Sequence, residues 1–325
     1  MGEFELISRF FEPLGSRVQH PEVALGIGDD CALLRLPAGE AMAISVDSLI
    51  EGVHFPADCD PERLGWRSLA VAASDLAAMG ARPLGFTLAM TLPQANPSWL
   101  TGFARGLGQA AQCFDLALLG GNTTRGPLNI TIQVQGSVPP QHALHRQGAR
   151  AGDLICVSGT LGDAGEALNW LEHPGADTDV AFLLERYYRP TPRLALGQAL
   201  RRRASAAIDI SDGFLADLGH VLTASGAGAV IDADALPISP ALHRVAGERA
   251  LQKALQAGDD YELCFCWPSS LPLPAKIADT PVTAVGVVEA LPGIRLRAGD
   301  NVSEQLSSGF DHFRPPAKPV REESP

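Results

Sequence analysis

Residues 69–79 read Leu-Ala-Val-Ala-Ala-Ser-Asp-Leu-Ala-Ala-Met, a helical stretch with almost no polar face and a single carboxylate, Asp75, set in it. A helix that is apolar nearly all round has to be buried. A carboxylate facing a packed interior is expensive unless it is paired or binds a metal. The chain must therefore enclose this helix in a layered core and find a use for Asp75. Pro61 marks the start of the helix, and Gly80 follows its last residue, Met79. No arginine lies one turn before Asp75, where the chain has Val71 and Ala72; Arg82 can reach it from beyond the helix.

Apolar strands and amphipathic helices alternate on both sides of this element. Strands are expected at 41–46 leading into Asp47, at 84–92 and at 128–138, with a helix at about 98–114 between the last two. Further strands are expected at 154–158, 206–210, 261–267 and 282–288, with a helix at 215–225. Mixed strands and helices in both halves predict two α/β sandwich domains. The expected boundaries are 1–138, a linker at 139–152 containing Pro139 and Pro140, a second domain at 153–314, and a proline-rich, charged tail at 315–325 expected to be disordered.

Composition excludes several classes of function. The net charge of −12 argues against nucleic acid as a partner, because neutralising phosphates needs a basic surface. The longest apolar helical stretch is short and carries Asp75, so no membrane span is expected. The acidic opening Met1-Gly2-Glu3-Phe4-Glu5 is unlike the basic head of a secretory signal, and the expected location is the cytoplasm. None of the six cysteines forms a C-x-x-C pair, which favours small buried hydrophobes in a reducing compartment. There is no G-x-x-x-x-G-K-[ST], and the only lysines are Lys253, Lys276 and Lys318, so no P-loop exists in the first half. The Gly26-Ile-Gly28 pair runs into two acids rather than a dinucleotide-binding helix, and no G-x-S-x-G is present.

What remains is a set of acids in apolar or glycine-rich surroundings: Asp29 and Asp30, Asp47, Asp75, Asp209 and Asp212, Asp259 and Asp260. Asp29 and Asp259 read as turn residues. Asp212, beside Gly213 and a helix, is either an N-cap or a ligand. As a group, acids without matching bases or interleaved His and Cys point to Mg²⁺ or Mn²⁺ held by oxygen. The run Leu119-Gly-Gly-Asn-Thr-Thr-Arg-Gly126 is either a phosphate cradle, with Arg125 adding donors, or an ordinary strand–turn connection.

The motifs Gly26-Ile-Gly-Asp-Asp-Cys-Ala32, Ser45-Val-Asp47, Gly52-Val-His-Phe55, Ser74-Asp-Leu-Ala-Ala-Met-Gly-Ala81 and Gly120-Gly-Asn-Thr-Thr-Arg-Gly126 occur in the order and spacing of a known family, as do Arg189-Pro-Thr-Pro-Arg193, Asp209-Ile-Ser-Asp-Gly213, Asp259-Asp-Tyr-Glu-Leu263 and Gly309-Phe-Asp-His-Phe313. Over nearly its whole length the chain resembles the thiamine-monophosphate kinases. The resemblance implies the fold shared with aminoimidazole ribonucleotide synthetase, with the N-terminal sheets of two subunits joined in a dimeric β-barrel. It implies metal contacts from Asp30, Ser45, the Val46 carbonyl, Asp47, Asp75, Asn122, Asp209 and Asp212. It implies ATP contacts from Gly121, Asn122, Arg146 and Ser211, and thiamine monophosphate contacts from His54, Asp260 and Phe310. Several Mg²⁺ ions, ATP as co-substrate, and direct in-line transfer of the γ-phosphate follow from the same resemblance. The chain departs from the family at Asn122, where relatives commonly carry Asp, and at Phe310, where Tyr is familiar.

Two rival readings differ in testable features. A sister enzyme of the same fold is one, such as aminoimidazole ribonucleotide synthetase or selenophosphate synthetase. Selenophosphate synthetase would want a reactive Cys near the N-terminus, and Cys31 sits inside the acid motif; a hydrogenase-maturation ATPase would end in cysteine, and this chain ends in Glu323-Ser-Pro325. The other rival is a non-catalytic nucleotide- or metal-binding module, which would not keep all of Asp30, Asp47, Asp75, Asp209 and Asp212.

Overall fold

The computed structural model describes residues 2–173, 175–299 and 301–305. Helix α1 (Glu3–Leu6), a π-helical turn (Ile7–Phe11) and α2 (Glu12–Gly15) lead into a small hairpin, β1 (Val23–Leu25) with β2 (Leu33–Leu34). A four-stranded sheet follows, built from β3 (Ala41–Ile50), β4 (Arg82–Leu92), β5 (Ala117–Arg125) and β6 (Asn129–Val138) in the order β3-β6-β4-β5. Helices α3 (Pro61–Ala78) and α4 (Pro97–Phe114) connect its strands. The Asp60 carboxylate caps α3 by accepting the Arg63 amide at 2.9 Å, and Asn96 caps α4 in the same way.

The helices cover one face of this sheet and leave the other open. Phe86, Leu88, Met90 and Leu92 of β4 point inward with Leu64, Leu69, Leu76, Phe103 and Leu107 of the helices, all buried. Each such side chain contributes roughly 1.5–3 kcal/mol by leaving water. On β3 the opposite alternation puts Met42, Ile44, Val46 and Ile50 on the open face, 38–58% exposed. Ser45 and Asp47 face the helices.

Two local expectations change here. The first strand does not stop at Val46: its antiparallel register with β6 runs unbroken from Ala41↔Val138 to Ile50↔Asn129, so Asp47 is a mid-strand residue paired with Ile132. A backbone ladder is indifferent to one charged side chain when that side chain has room on its face. The glycine run 119–126 is not a turn either, because β5 passes through it parallel to β4, with Asn122 beside Ala89. Gly121 is required by this pairing, since a Cβ there would lie 2.0 Å from the Leu88 carbonyl oxygen.

The second half carries β7 (Leu154–Ser158), α5 (Asp163–Ala167), α6 (Thr178–Tyr188), α7 (Leu194–Leu200), β8 (Ala206–Asp209), α8 (Phe214–Ser225), β9 (Gly228–Asp232), α9 (Pro240–Ala246), α10 (Ala250–Gln256), β10 (Leu263–Trp267), β11 (Lys276–Ile277), β12 (Thr280–Glu289), β13 (Gly293–Ala298) and β14 (Asn301–Gln305). Its sheet is ordered β14-β13-β9-β12-β7-β10-β8, with β11 on β12. Cys264 and Cys266 of β10 are fully buried on one face of the sheet and Cys156, beside Phe265, on the other, so these thiols are core hydrophobes. The halves meet along α3. Its Trp66 indole donates to the Pro190 carbonyl at 3.0 Å, and the Tyr187 hydroxyl donates to the His54 carbonyl at 2.6 Å. Among the described residues no helix is long and apolar enough to cross a membrane.

Candidate active site

The inner face of β3 meets α3 at Asp75. The Ser45 hydroxyl donates to the Asp75 carboxylate in a very short hydrogen bond. Asp47 stands two residues further along the same face of β3, and burial together with the charge of Asp75 pushes its carboxyl up to about 6. Arg82 does not reach Asp75; its guanidinium binds Glu22 at 2.5 Å instead.

From the second half, β8 delivers Asp209 to the same place. Burial, followed by the charges of Asp75, Asp217 and Asp47, raises the Asp209 carboxyl to about 7. Three carboxylates from β3, α3 and β8 thus press on one another electrostatically, with the donor of Ser45 alongside. Among the described residues no three His, Cys, Asp or Glu side chains are closed into a ready metal cage. The donor chemistry nevertheless fits a hard cation: the ligands are all oxygen, and their mutual repulsion is what a divalent ion would relieve.

After β8 the chain turns through Ser211, Asp212 and Gly213 into α8. Asp212 is not the residue that caps this turn. Asp217, 3% exposed, reaches back from the first turn of α8, and its Oδ2 accepts the amides of Ser211 and Asp212 at 3.0 Å and of Gly213 at 3.2 Å. Those amides are therefore committed to an internal anion. Burial and the charge of Asp212 lift the Asp217 carboxyl to about 7, while the three amides pull it down.

A second set of expected residues lies across the sheet. On the open face a groove of about 1210 Å³ is lined by Asp29, Asp30, Gly120, Gly121 and Asn122, with Phe11 and Ile27 among its apolar walls. In register Asn122 stands beside Ala89, then Thr131, then Ser48, all on the face opposite Asp47. One chain thus divides its acids between the two faces of one sheet.

Residues 28–138 match the family described as AIR synthase related protein, N-terminal domain. The chain is 46% identical to thiamine-monophosphate kinase of Salmonella typhimurium over 97% of its length and 99% of the relative's, and 42% identical to that of Haemophilus influenzae over 97% and 98%. The chain belongs to the thiamine-monophosphate kinase family. A solved thiamine-monophosphate kinase from Stenotrophomonas maltophilia superposes with a TM-score of 0.84 at 43% identity, covering 88% of this chain and 95% of that one. AaThiL complexed with AMPPCP and TMP superposes with a TM-score of 0.77 at 30% identity, covering 96% and 97%. The hydrogenase maturation protein HypE of E. coli, at 22% identity and a TM-score of 0.73, shares the fold.

Against the thiamine-monophosphate kinase motifs, the remaining residues fall as follows. His54 lies in the turn after β3, and its Nδ1 accepts the Ile50 amide at 3.0 Å, which puts the ring proton of the neutral form on Nε2. Arg146 is an exposed residue between β6 and β7 whose carbonyl accepts the Ser225 hydroxyl at 3.4 Å. Asp260 is 2% exposed, with Oδ2 on the Gly162 amide at 2.7 Å and Oδ1 buried without a partner. Phe310 lies outside the described residues. Asp259 is more than a turn residue, since its carboxylate pairs with Arg67 at 2.5 Å.

Sequence reasoning missed Asp217, Arg67 and Glu262. An acid in the first turn of a helix after a strand-end motif was the available signal for Asp217. An arginine at the edge of the apolar stretch of α3, eight residues before Asp75, was the signal for Arg67. Glu262 gave none, because its partners Arg186 and Arg193 are distant in sequence.

Proposed function

We propose that this chain transfers the γ-phosphoryl group of ATP to the phosphate of thiamine monophosphate, giving thiamine diphosphate, and that this step ends a thiamine diphosphate biosynthesis. In a member of this family, the observation that carries the reading is the meeting of Asp47, Asp75 and Asp209 from both halves, none of which forms an ion pair with an arginine or lysine among the described residues. The acceptor is itself an oxygen anion, so transfer needs no general base; alignment and charge neutralisation suffice.

Asp47, Asp75, Asp209 and Asp212, with Ser45 and the Val46 carbonyl, are the residues that would hold Mg²⁺ or Mn²⁺ against the phosphates. Bound there, the ions would supply the positive charge that a protein of net charge −12 lacks. Ser45 fixes the rotamer of Asp75. Asp217 shapes the turn that presents Asp212, and because it occupies the amides of that turn, Ser211 would meet ATP through its hydroxyl. Gly121, Asn122 and Arg146 complete the ATP contacts in this reading, and His54, Asp260 and Phe310 those to the acceptor. The same reading keeps residues 1–138 as the metal and ATP domain, joined by 139–152 to 153–314.

Homodimerisation through the open sheet face belongs to this proposal. Met42, Ile44, Val46 and Ile50 form an apolar column there, of the kind a partner sheet covers in a β-barrel. A second copy would also answer the division of the acids, by bringing Asp30 and Asn122 of one chain to Asp47, Asp75 and Asp209 of the other. The six free cysteines support a cytoplasmic setting.

The test is ADP release from ATP with Mg²⁺, with and without thiamine monophosphate. Strict dependence on both is expected. Equal ATP loss without the acceptor, or full turnover in excess EDTA, would overturn the reading.

A further inference from the structure

The acids of the proposed site come from two halves of the chain, so their spacing depends on what locks the halves together near them. We propose that Arg67 is the positioning residue for this spacing, acting through Asp259 to hold the 209–212 segment at a fixed distance from Asp75 and Asp47. The proposal rests on the reading of those acids as the metal and phosphate site.

Arg67 lies on α3, about two turns before Asp75, and is 1% exposed. Its Nη1 donates to the Tyr187 carbonyl at 2.6 Å and its Nη2 to Asp259 Oδ1 at 2.5 Å. The guanidinium carbon sits 3.9 Å from the Tyr187 ring centroid and 5.8 Å from that of Tyr261. Every one of these partners belongs to the second half. Burial works against the charge of Arg67, but the Asp259 carboxylate more than offsets it and the guanidinium stays ionised.

What Arg67 grips is a strained loop. Asp259 and Tyr261 both have left-handed backbones, at φ 70° and 49°, which are unfavourable for residues with a Cβ. Such a conformation persists only where its surroundings enforce it. Here the Tyr261 hydroxyl also donates to Asp259 Oδ1 at 3.1 Å, so the carboxylate is gripped from two sides.

The loop is in turn sewn to the acids. The Asp259 amide donates to the Ser211 carbonyl at 2.9 Å, the Tyr261 amide to the Ile210 carbonyl at 2.9 Å, and the Ile210 amide to the Glu262 carbonyl at 2.8 Å. Gly258 approaches so closely that a Cβ would lie 2.2 Å from the Ser211 oxygen. Residues 210 and 211 are the link between Asp209 and Asp212. A continuous path therefore runs from the helix of Asp75 through Arg67, Asp259 and Ser211 to Asp209 and Asp212. Trp66 to Pro190, Tyr187 to His54, Arg189 to Gln109 and Arg201 to Gly80 also join the halves but do not touch the 258–262 loop. Helix α3 packs directly on β8 with Ser74 against Asp209, so the Arg67 path adds to that contact by fixing the 210–212 segment beyond it.

The experiment uses full-length Arg67→Met, Arg67→Lys, Asp259→Asn, Tyr261→Phe and the Arg67→Met/Asp259→Asn double variant, with Trp66→Phe as a control that weakens a contact between halves remote from the loop. Mn²⁺ binding is followed by electron paramagnetic resonance, beside kcat, KM and a thermal melt. Arg67→Met and Asp259→Asn should each weaken Mn²⁺ binding roughly tenfold, and the double variant no further, because both cut one path. Arg67→Lys should restore part of the loss, Tyr261→Phe should show a smaller loss in the same direction, and Trp66→Phe should lower the melt alone. Unchanged Mn²⁺ affinity in Asp259→Asn and Tyr261→Phe, whatever their melts, would overturn the proposal even if Arg67→Met fails to fold. Wild-type protein that binds no Mn²⁺ would instead overturn the underlying reading of the acids.

Discussion

Glu262 and Arg193 form a two-armed buried ion pair, with Nε on Oε2 at 2.6 Å and Nη2 on Oε1 at 2.5 Å. The carboxylate is fully buried and takes two more donors, Arg186 at 2.9 Å and the Ser158 hydroxyl at 2.6 Å. Arg193 closes the Arg189-Pro-Thr-Pro-Arg193 motif that leads out of α6, so the pair fastens that connection to the strand β10 behind the site.

Removing this carboxylate should be severe at neutral pH and mild in acid. Burial raises the Glu262 carboxyl, but Arg193 and Arg186 outweigh it and hold it below the ordinary value of 4.5. A depressed folded-state value means stability that is present above the unfolded value and lost as pH falls through the folded one. Glu262→Gln should therefore cost about 3–5 kcal/mol at pH 7, because two half-buried arginines lose their fully buried counter-charge. The gap to wild type should narrow below pH 4.5. Urea unfolding across that range checks it; a gap that does not change with pH would contradict the pairing.

Asp260 should respond in the opposite sense. Burial raises its carboxyl well above 3.8, although the charge of Arg186 and the Gly162 amide oppose the shift. The unfolded chain ionises there first, so this group favours folding fully below 3.8 and loses that contribution as pH rises toward the folded value. Asn can keep the bond to Gly162 without carrying the titration. Asp260→Asn should gain on wild type as pH rises from acid to neutral, by up to about 1.4 kcal/mol per unit. Parallel stability curves would mean that Asp260 is ionised in the fold. A raised KM for thiamine monophosphate alone would report its contact with the acceptor.

Asn122 is the position where a charge is expected to help. It sits exposed on the groove face of β5, in an extended strand where capping a turn is not its role. Asn122→Asp should lower the Mg²⁺ concentration for half-maximal turnover, with the effect fading at saturation, since a carboxylate binds a hard cation more strongly than an amide oxygen. Superimposable Mg²⁺ titrations would remove this side chain from the site.

Subunit sharing can be tested by mixing. Asp30→Asn and Asp75→Asn should each be inactive alone, because in the proposed site either removes a ligand charge. If one chain's groove serves the other chain's acids, unfolding and refolding the two together should restore activity, since some mixed dimers keep one intact site. Mixtures as inactive as their components would place the whole site within a single chain.

The sequence by itself determined the elements and the inventory of acids. The helix around Asp75, the strands flanking it and the acidic, lysine-poor composition follow from local periodicity and from residue chemistry, which need no partner to be read. The strand β7 was legible to the residue, and α4 to within one position at its start. Only the tertiary structure decided which face each acid occupies. Whether Asp47 meets Asp75 and Asn122 does not depends on strand register, and alternate residues of a strand point to opposite sides. It also decided that Asp217, rather than Asp212, takes the amides of the 211–213 turn, and that Arg67 finds Asp259 across 192 positions of chain. Contacts between residues so far apart leave no local pattern, because the pairing energy arises only after packing has brought the two groups out of water together.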